Sequence, residues 1–319
     1  MKKGSSDKLI SSRKSIFYYS DIQGEGDPYL AKIPKYYLIG YPSVLISDVK
    51  HGVLPYDNYK VTITPPNKKI ELLIGHGLNN GKYNRNFERA VSNLIRDCAN
   101  SIMAFGEAVY EIIYFTDPIN KNIVEFKLGF IQSKTVMWQK DKLVQYIPQK
   151  LAEKYKTNYI QLSQESILIF KLSDDLQGKI ERIMKELTTL DHPPVVLDFL
   201  FQENGKKVHY DVNKHIHTQN IAIAKTGSPI GWIPSNISLN FNEYYDTYQF
   251  LTFQEFKIKL RNIILQTLND GLTIIGNKMG FSAQIEIEGL PTLENVETMK
   301  KQLENGTISF KEAVDAFYK

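Results

Sequence analysis

The sequence holds one cysteine, Cys98, and two tryptophans, and no apolar run approaches about 18 residues. A single cysteine excludes an intramolecular disulfide, and the short apolar runs exclude a membrane-spanning helix. The first residues are basic but lack the apolar core of about 7–15 residues that a secretory signal needs. The expectation is a soluble protein kept in a reducing compartment. Excess charge is also missing from most of the chain. Lys and Arg number 39 and Asp and Glu 35, a net charge of +4. Lys2, Lys3, Lys8, Arg13 and Lys14 against Asp7 supply all of it, so the sequence from Ser15 onward is neutral. A globally basic nucleic-acid binder is thereby excluded, and only a local basic arm remains.

Catalytic signatures are equally absent. There is no Gly-x-Ser-x-Gly elbow, no His-Glu-x-x-His pair, no phosphate-binding P-loop and no glycosidase-like carboxylate pair. No catalytic residue, cofactor or metal ligand is assigned, and the chain is read as having no catalysis of its own. What is present is the composition of a folded protein, 42% hydrophobic and 23% charged. A chain of 319 residues divides its core between two or more units.

Along the chain, residues 1–15 read as a flexible polar arm. Short β-prone runs follow at Tyr36-Tyr37-Leu38-Ile39, Val44-Leu45-Ile46, 61–64 and 70–74, and Gly75 to Gly81 reads as a loop. Residues 84–105 are the first strong helix, with Phe87, Val91, Leu94, Cys98, Ile102 and Phe105 on one face. Cys98 on that face is a small core residue. Arg85, Arg89 and Arg96 fall on the opposite face. Gly106 stops the helix, and strands are expected at 108–115, 123–131, 135–138, 143–147 and 167–170. The first half is therefore α+β with an antiparallel meander.

Beyond it, Ser173 starts a helix carrying Leu176, Ile180, Ile183, Leu187 and Leu190. Runs at 195–202 and 206–210 flank Glu203-Asn-Gly205 as a hairpin. A shorter helix covers 213–225. A polar loop then leads into the longest helix, 242–270, apolar on all sides and ended by Asn269-Asp-Gly271. Such a helix must be covered on several sides, by a large core or by neighbouring subunits. A strand at 281–287, a helix around Leu293 to Leu303 and a short helix opened by the capping box Ser309-Phe-Lys-Glu312 complete the chain.

Two constellations invite chemistry. Gly75-x-Gly77-x-x-x-Gly81 follows an apolar run and precedes a helix, as a dinucleotide-binding loop does. The third glycine position is Asn80 and the next elements do not alternate as βαβ, so a connecting loop is the reading taken. His209, Asp211, His215 and His217 form the one ligand-rich cluster, but no cysteine pair completes a tetrahedral site. They are read as surface or interface residues. The arginine face reads first as solvated surface, with contact to a polyanion as the alternative.

From Ser173 onward the order of elements resembles that of the bacteriophage portal proteins, which form the ring through which DNA enters the capsid. LSDDLQGKIERIMKELTTL is similar to the first stem helix and PPVVLDFLFQENGKKVHYD to the strand-rich clip. VNKHIHTQNIAIAKT is similar to the second stem helix, GSPIGWIPSNISLN to the tunnel loop and NEYYDTYQFLTFQEFKIKLRNIILQTLND to the long wing helix. LIRDCANSIMAFGEAVYEIIYF resembles the portal passage from helix into wing sheet, and ENVETMKKQLENGTISFKEAVDAF the portal C-terminal helices. The likeness covers residues 85–319.

The resemblance implies an α+β portal-like fold: a basic arm (1–15), a wing (16–172), a stem helix (173–190), a clip hairpin (191–212), a second stem helix (213–226), a tunnel loop (227–241) and a long wing helix with C-terminal elements (242–319). It implies a ring of about a dodecamer at the capsid vertex of a virion assembled in the host cytoplasm. Partners would be the major capsid protein, a terminase or other packaging motor, a tail adaptor and double-stranded DNA, with no membrane. Ser228, Ile230, Trp232, Ser235 and Asn236 of the tunnel loop would face DNA. Lys2, Lys3, Arg13, Lys14, Arg85, Arg89 and Arg96 are candidates for contact with nucleic acid or a neighbouring subunit. The alternative function is a packaging accessory that binds nucleic acid through the basic arm and the arginine face. A near-neutral body suits a conduit, because tightly held phosphates would stall moving DNA.

Overall fold

A computed structural model of the chain describes residues 9–16, 40–55, 58–79, 86–147, 152–153, 156–191, 212–234 and 242–318. The protein is α+β with antiparallel sheets, and the chain divides into two compact units. The first comprises residues 1–34, 50–172 and 260–290, the second residues 35–49, 173–259 and 291–319.

The first unit is organised on β3 (Glu107–Thr116), whose core residues from Ala108 to Tyr114 are all buried. β4 (Ile123–Ile131) pairs along one edge of β3. β8 (Ile167–Lys171) and the two-residue β1 (Ile10–Ser11) share the other edge in tandem, β8 opposite Glu107 to Glu111 and β1 opposite Phe115 and Thr116. α3 (Phe87–Phe105) packs on β3 with the face foreseen from its spacing, and ends at Gly106 in the left-handed region at φ 87°. Cys98 lies fully buried on that face, and burial pushes its thiol well above the ordinary range. A three-stranded meander, β5 (Val136–Gln139), β6 (Lys142–Tyr146) and β7 (Tyr159–Gln161), joins the same core through Val109, Ile131, Leu143 and Leu162. The sequence reading missed β7, a strand of three residues with little burial of its own.

Two expected strands are helices. Residues 44–46 lie in α1 (Gly40–Gly52), where Pro42, Leu45, Ile46 and Val49 are buried at helical spacing. Residues 70–74 lie in α2 (Lys68–Leu78), which begins where the side chain of Asn67 accepts hydrogen bonds from the Lys69 and Ile70 amides. Gly75 and Gly77 are therefore helical rather than in a loop. Both are buried, and a Cβ at Gly77 would stand 2.5 Å from the ring of Phe126 in β4. The glycine lets α2 press onto the sheet, and Phe126 is fully buried with nowhere to move. Gly77→Ala is expected to lose up to about 2 kcal/mol in urea unfolding, overpacking of about 1–3 kcal/mol against a roughly 1 kcal/mol gain in helix propensity. β2 (Lys60–Thr64) pairs with β9 (Gln284–Glu288) over its whole length.

The second unit holds α4 (Asp174–Asp191) and α5 (Val212–Gly227), which pack on each other. Ile180, Ile183, Met184 and Leu187 of α4 are buried, and Gln219 of α5 donates to the carbonyl of Leu190 at 3.0 Å. The expected hairpin at 195–210 lies outside the described residues. α7 (Leu293–Glu304) and α8 (Phe310–Tyr318) cover Leu251 and Ile258 with Val296, Leu303 and Ala313. α8 carries the expected capping box: Glu312 accepts from the Ser309 amide and hydroxyl, and Ser309 Oγ accepts from the Glu312 amide.

The longest helix, α6 (Glu243–Met279), belongs to both units, changing from one to the other between Lys259 and Leu260. Its 37 residues span about 55 Å. It does not end at Asn269-Asp-Gly271. Asn269 instead clamps the strand β9, its Oδ1 accepting from the Ile285 amide at 2.7 Å and its Nδ2 donating to the Ile285 carbonyl at 3.0 Å. Gly271 gives room to the side chain of Leu168, 2.6 Å from where a Cβ would be. The stop is Gly280, at φ 77°, whose amide and that of Phe281 both donate to the Gly276 carbonyl. Leu251, Phe256, Ile258, Leu260, Ile264, Leu268, Leu272 and Ile275 are buried by this chain alone. Of the two covers expected for this helix, a core within the chain supplies most, while Tyr244 and Tyr248 stay 50% and 40% exposed.

Candidate functional site

The segment that joins α5 to α6 was expected to be an open loop, and the structure shows its first half anchored. α5 ends at Gly227, followed by a single 3₁₀ turn, Ser228–Ile230. Gly231 then takes φ 75°, its amide donating to the Ser228 carbonyl at 2.9 Å. The turn is pressed against α6: a Cβ on Gly231 would lie 2.3 Å from the Gln249 carbonyl oxygen and 2.4 Å from the Phe253 nitrogen. Gln249 Nε2 donates to Ser228 Oγ at 3.1 Å and ties the turn to the helix. Trp232 follows, with its amide donating to the Gly227 carbonyl and its indole Nε1 to Asp48 Oδ2 of α1 at 2.8 Å.

This geometry corrects two of the expected DNA-facing residues. Ile230 is 2% exposed and Trp232 0%, so both are core side chains of the second unit rather than groups offered to a ligand. Ser228 is half-buried, with its hydroxyl engaged by Gln249. Ser235 and Asn236 lie outside the described residues. Gly227, Ile230, Gly231, Trp232 and Pro234 are buried, Ser228 and Ile233 half-buried and Pro229 exposed. Nothing in the sequence pattern marked Trp232 as core, although the Trp232-Ile233 pair between Gly231 and Pro234 is a large apolar payload that folding tends to bury.

Among the described residues the basic candidates stand on two separate segments, Arg13 and Lys14 following β1 and Arg89 and Arg96 on α3. Arg96 Nη2 donates to the carbonyls of Leu54 at 3.4 Å and Pro55 at 2.8 Å, which fixes the chain leaving α1. Arg89 is exposed, and Arg85, Lys2 and Lys3 lie outside the described residues. Arg13 and Lys14 are exposed, but their main chain is held against β3, Lys14 through a bond from its amide to Glu111 Oε1 at 2.9 Å. The flexible arm expected over 1–15 is therefore corrected over residues 9–15, because the edge of β3 left open beside β8 pairs with them.

Among the described residues no three His, Cys, Asp or Glu side chains gather as a metal site. His209 and Asp211 lie outside them, and His217 is exposed on α5. A cleft of about 550 Å³ runs beside β2, lined by Val61, Ile63, Leu72 and Phe87 with the charged Lys60, Lys68, Glu71 and Glu88, and Lys68 pairs with Glu71 at 2.9 Å. Among the described residues no helix is long and apolar enough to cross a membrane.

Two carboxylates are tuned by their surroundings. Burial raises the Glu255 carboxyl, but hydrogen bonds and charge from Lys259 and Lys300 outweigh burial and hold it below its ordinary value. It contributes stability above the ordinary glutamate range, lost as pH falls through its lowered value. Glu107, at the start of β3, is raised by burial against the opposing charges of Lys134 and Lys171. A raised carboxyl favours the fold below its unfolded value and loses that as pH rises through the raised one. Glu107→Gln is therefore expected to raise Tm near pH 7 and to leave it unchanged near pH 4, as checked by calorimetry at both.

Compared with protein-family models and with curated proteins, the chain matches none of them.

Proposed function

We propose that the protein is the subunit of a portal-like ring, a conduit for double-stranded DNA at a capsid vertex that has no catalysis of its own. The observation that carries the reading is the succession in the second unit. Paired helices α4 and α5 are followed by an anchored turn, the 37-residue α6, and two capped helices. That is the order in which a portal chain runs through stem, tunnel loop, wing helix and C-terminal elements. In this reading α4 and α5 are the stem and residues 192–211 the clip that meets the packaging motor or tail adaptor. The first unit is the wing, facing the capsid protein and adjacent subunits. The loop after Pro234 lies nearest the DNA, and the near-neutral body lets phosphates slide past.

The accessory reading, a nucleic-acid binder using the arm and the arginine face, is weakened by the engagement of Arg96 and of the chain around Lys14. Deleting residues 1–8 and measuring DNA binding against salt separates the two. A portal-like subunit binds free DNA weakly with or without those residues and still forms rings in negative stain. An accessory binds strongly and loses that binding, with its salt dependence, on deletion.

A further inference from the structure

Residues 9–16 are held in an unusual way for a strand. Their side chains are exposed from Leu9 to Lys14, with Ile10 at 58%, and only Ser15 is buried. An integral edge strand on a buried core alternates inward and outward side chains. This segment is held mostly by its main chain instead, with one side-chain contact, the Ser12 hydroxyl accepting from the Tyr114 amide at 2.8 Å. Ile10 and Ser11 pair with Thr116 and Phe115, and the Ser12 amide donates to the Tyr114 carbonyl at 2.9 Å. Glu111 Oε1 and Oε2 accept from the amides of Lys14 and Ser15 at 2.9 and 3.0 Å. Gln145 Oε1 accepts from the Ile16 amide, and its Nε2 donates to the Ile16 carbonyl, both at 2.8 Å.

The receiving side is the reverse: Glu111 is 1% exposed and Gln145 0%, both set among core residues of β3 and β6. With the segment in place both groups are buried, and its departure takes two amide donors from the carboxylate and two main-chain partners from the Gln145 amide. The body therefore demands an extended main chain here, while the segment gains almost no apolar burial in return. We propose that this edge of β3, read by Glu111 and Gln145, is a peptide-binding site for extended main chain. Its ligand here is the protein's own residues 10–16, carried as a separable arm. The proposal stands apart from the portal reading, since it concerns one chain whatever its assembly.

The test uses the full-length chain with a protease site inserted between Ile16 and Gly40. After cleavage, the released arm is removed and a fluorescein-labelled peptide of residues 8–17 is titrated back, followed by anisotropy. Saturable one-to-one binding is expected, weakened about tenfold by Glu111→Gln, which replaces one charged acceptor with an amide. The peptide N-methylated at the Lys14 and Ser15 amides is expected not to bind. Three results would overturn the proposal: no binding by a body that still melts cooperatively, loss of that cooperative melt when the arm leaves, or affinity indifferent to Glu111→Gln.

Discussion

Trp232→Ala is expected to cost about 3–5 kcal/mol of the stability of the unit that holds it, the range for removing a large buried aromatic side chain. Trp232 is the largest fully buried side chain among the described residues, and its indole N–H is bound to Asp48 Oδ2. Truncation opens a cavity between the turn after α5 and its surroundings and strips the half-buried Asp48 carboxylate of its donor. Denaturant unfolding followed by circular dichroism gives the loss directly. Fluorescence gives the location. Trp138, the other tryptophan, is 60% exposed, so in a Trp138→Phe background Trp232 alone reports. Blue-shifted emission resistant to iodide is expected, and red-shifted, readily quenched emission would return Trp232 to an open loop.

Gly231→Ala should be comparably damaging through backbone alone, with an expected loss of about 2–5 kcal/mol. The φ of 75° costs an L-residue roughly 1–2 kcal/mol, and overpacking adds about 1–3 kcal/mol. The added carbon meets main-chain atoms of α6, the Gln249 carbonyl and the Phe253 nitrogen, which no side-chain rotation relieves. Gly280, with φ 77° and open space around it, is the control: Gly280→Ala carries the conformational cost without the clash. The two variants compared by urea unfolding should differ by about 1–3 kcal/mol. Equal losses would show that the turn does not sit against the helix.

Long, strongly periodic elements were legible in the sequence, and short apolar runs were not. The seam of α3, the strands β3 and β4 and the capping box of α8 all follow from spacing and capping chemistry. Ile70-Glu-Leu-Leu-Ile74 reads equally as a strand or as buried helix, and the deciding signal is Asn67 after two prolines, which caps the helix. Asn269-Asp-Gly271 looked like a stop because those residues end helices locally, yet tertiary contacts to Ile285 and Leu168 give them another use. The candidate site fared similarly. A polar, glycine- and proline-containing segment suggested an open loop, and only three-dimensional packing shows that its first eight residues are anchored by Trp232. The hold of Glu111 and Gln145 on residues 14–16 joins positions about a hundred residues apart and leaves no local pattern to read.

In the proposed function the chain, neutral from Ser15 onward, is one subunit of a ring that surrounds DNA. That claim is tested most directly by the mass of the purified full-length protein, measured by multi-angle light scattering across micromolar concentrations. A closed assembly of about twelve chains, invariant with dilution, is the predicted result. A strict monomer at every concentration would contradict it.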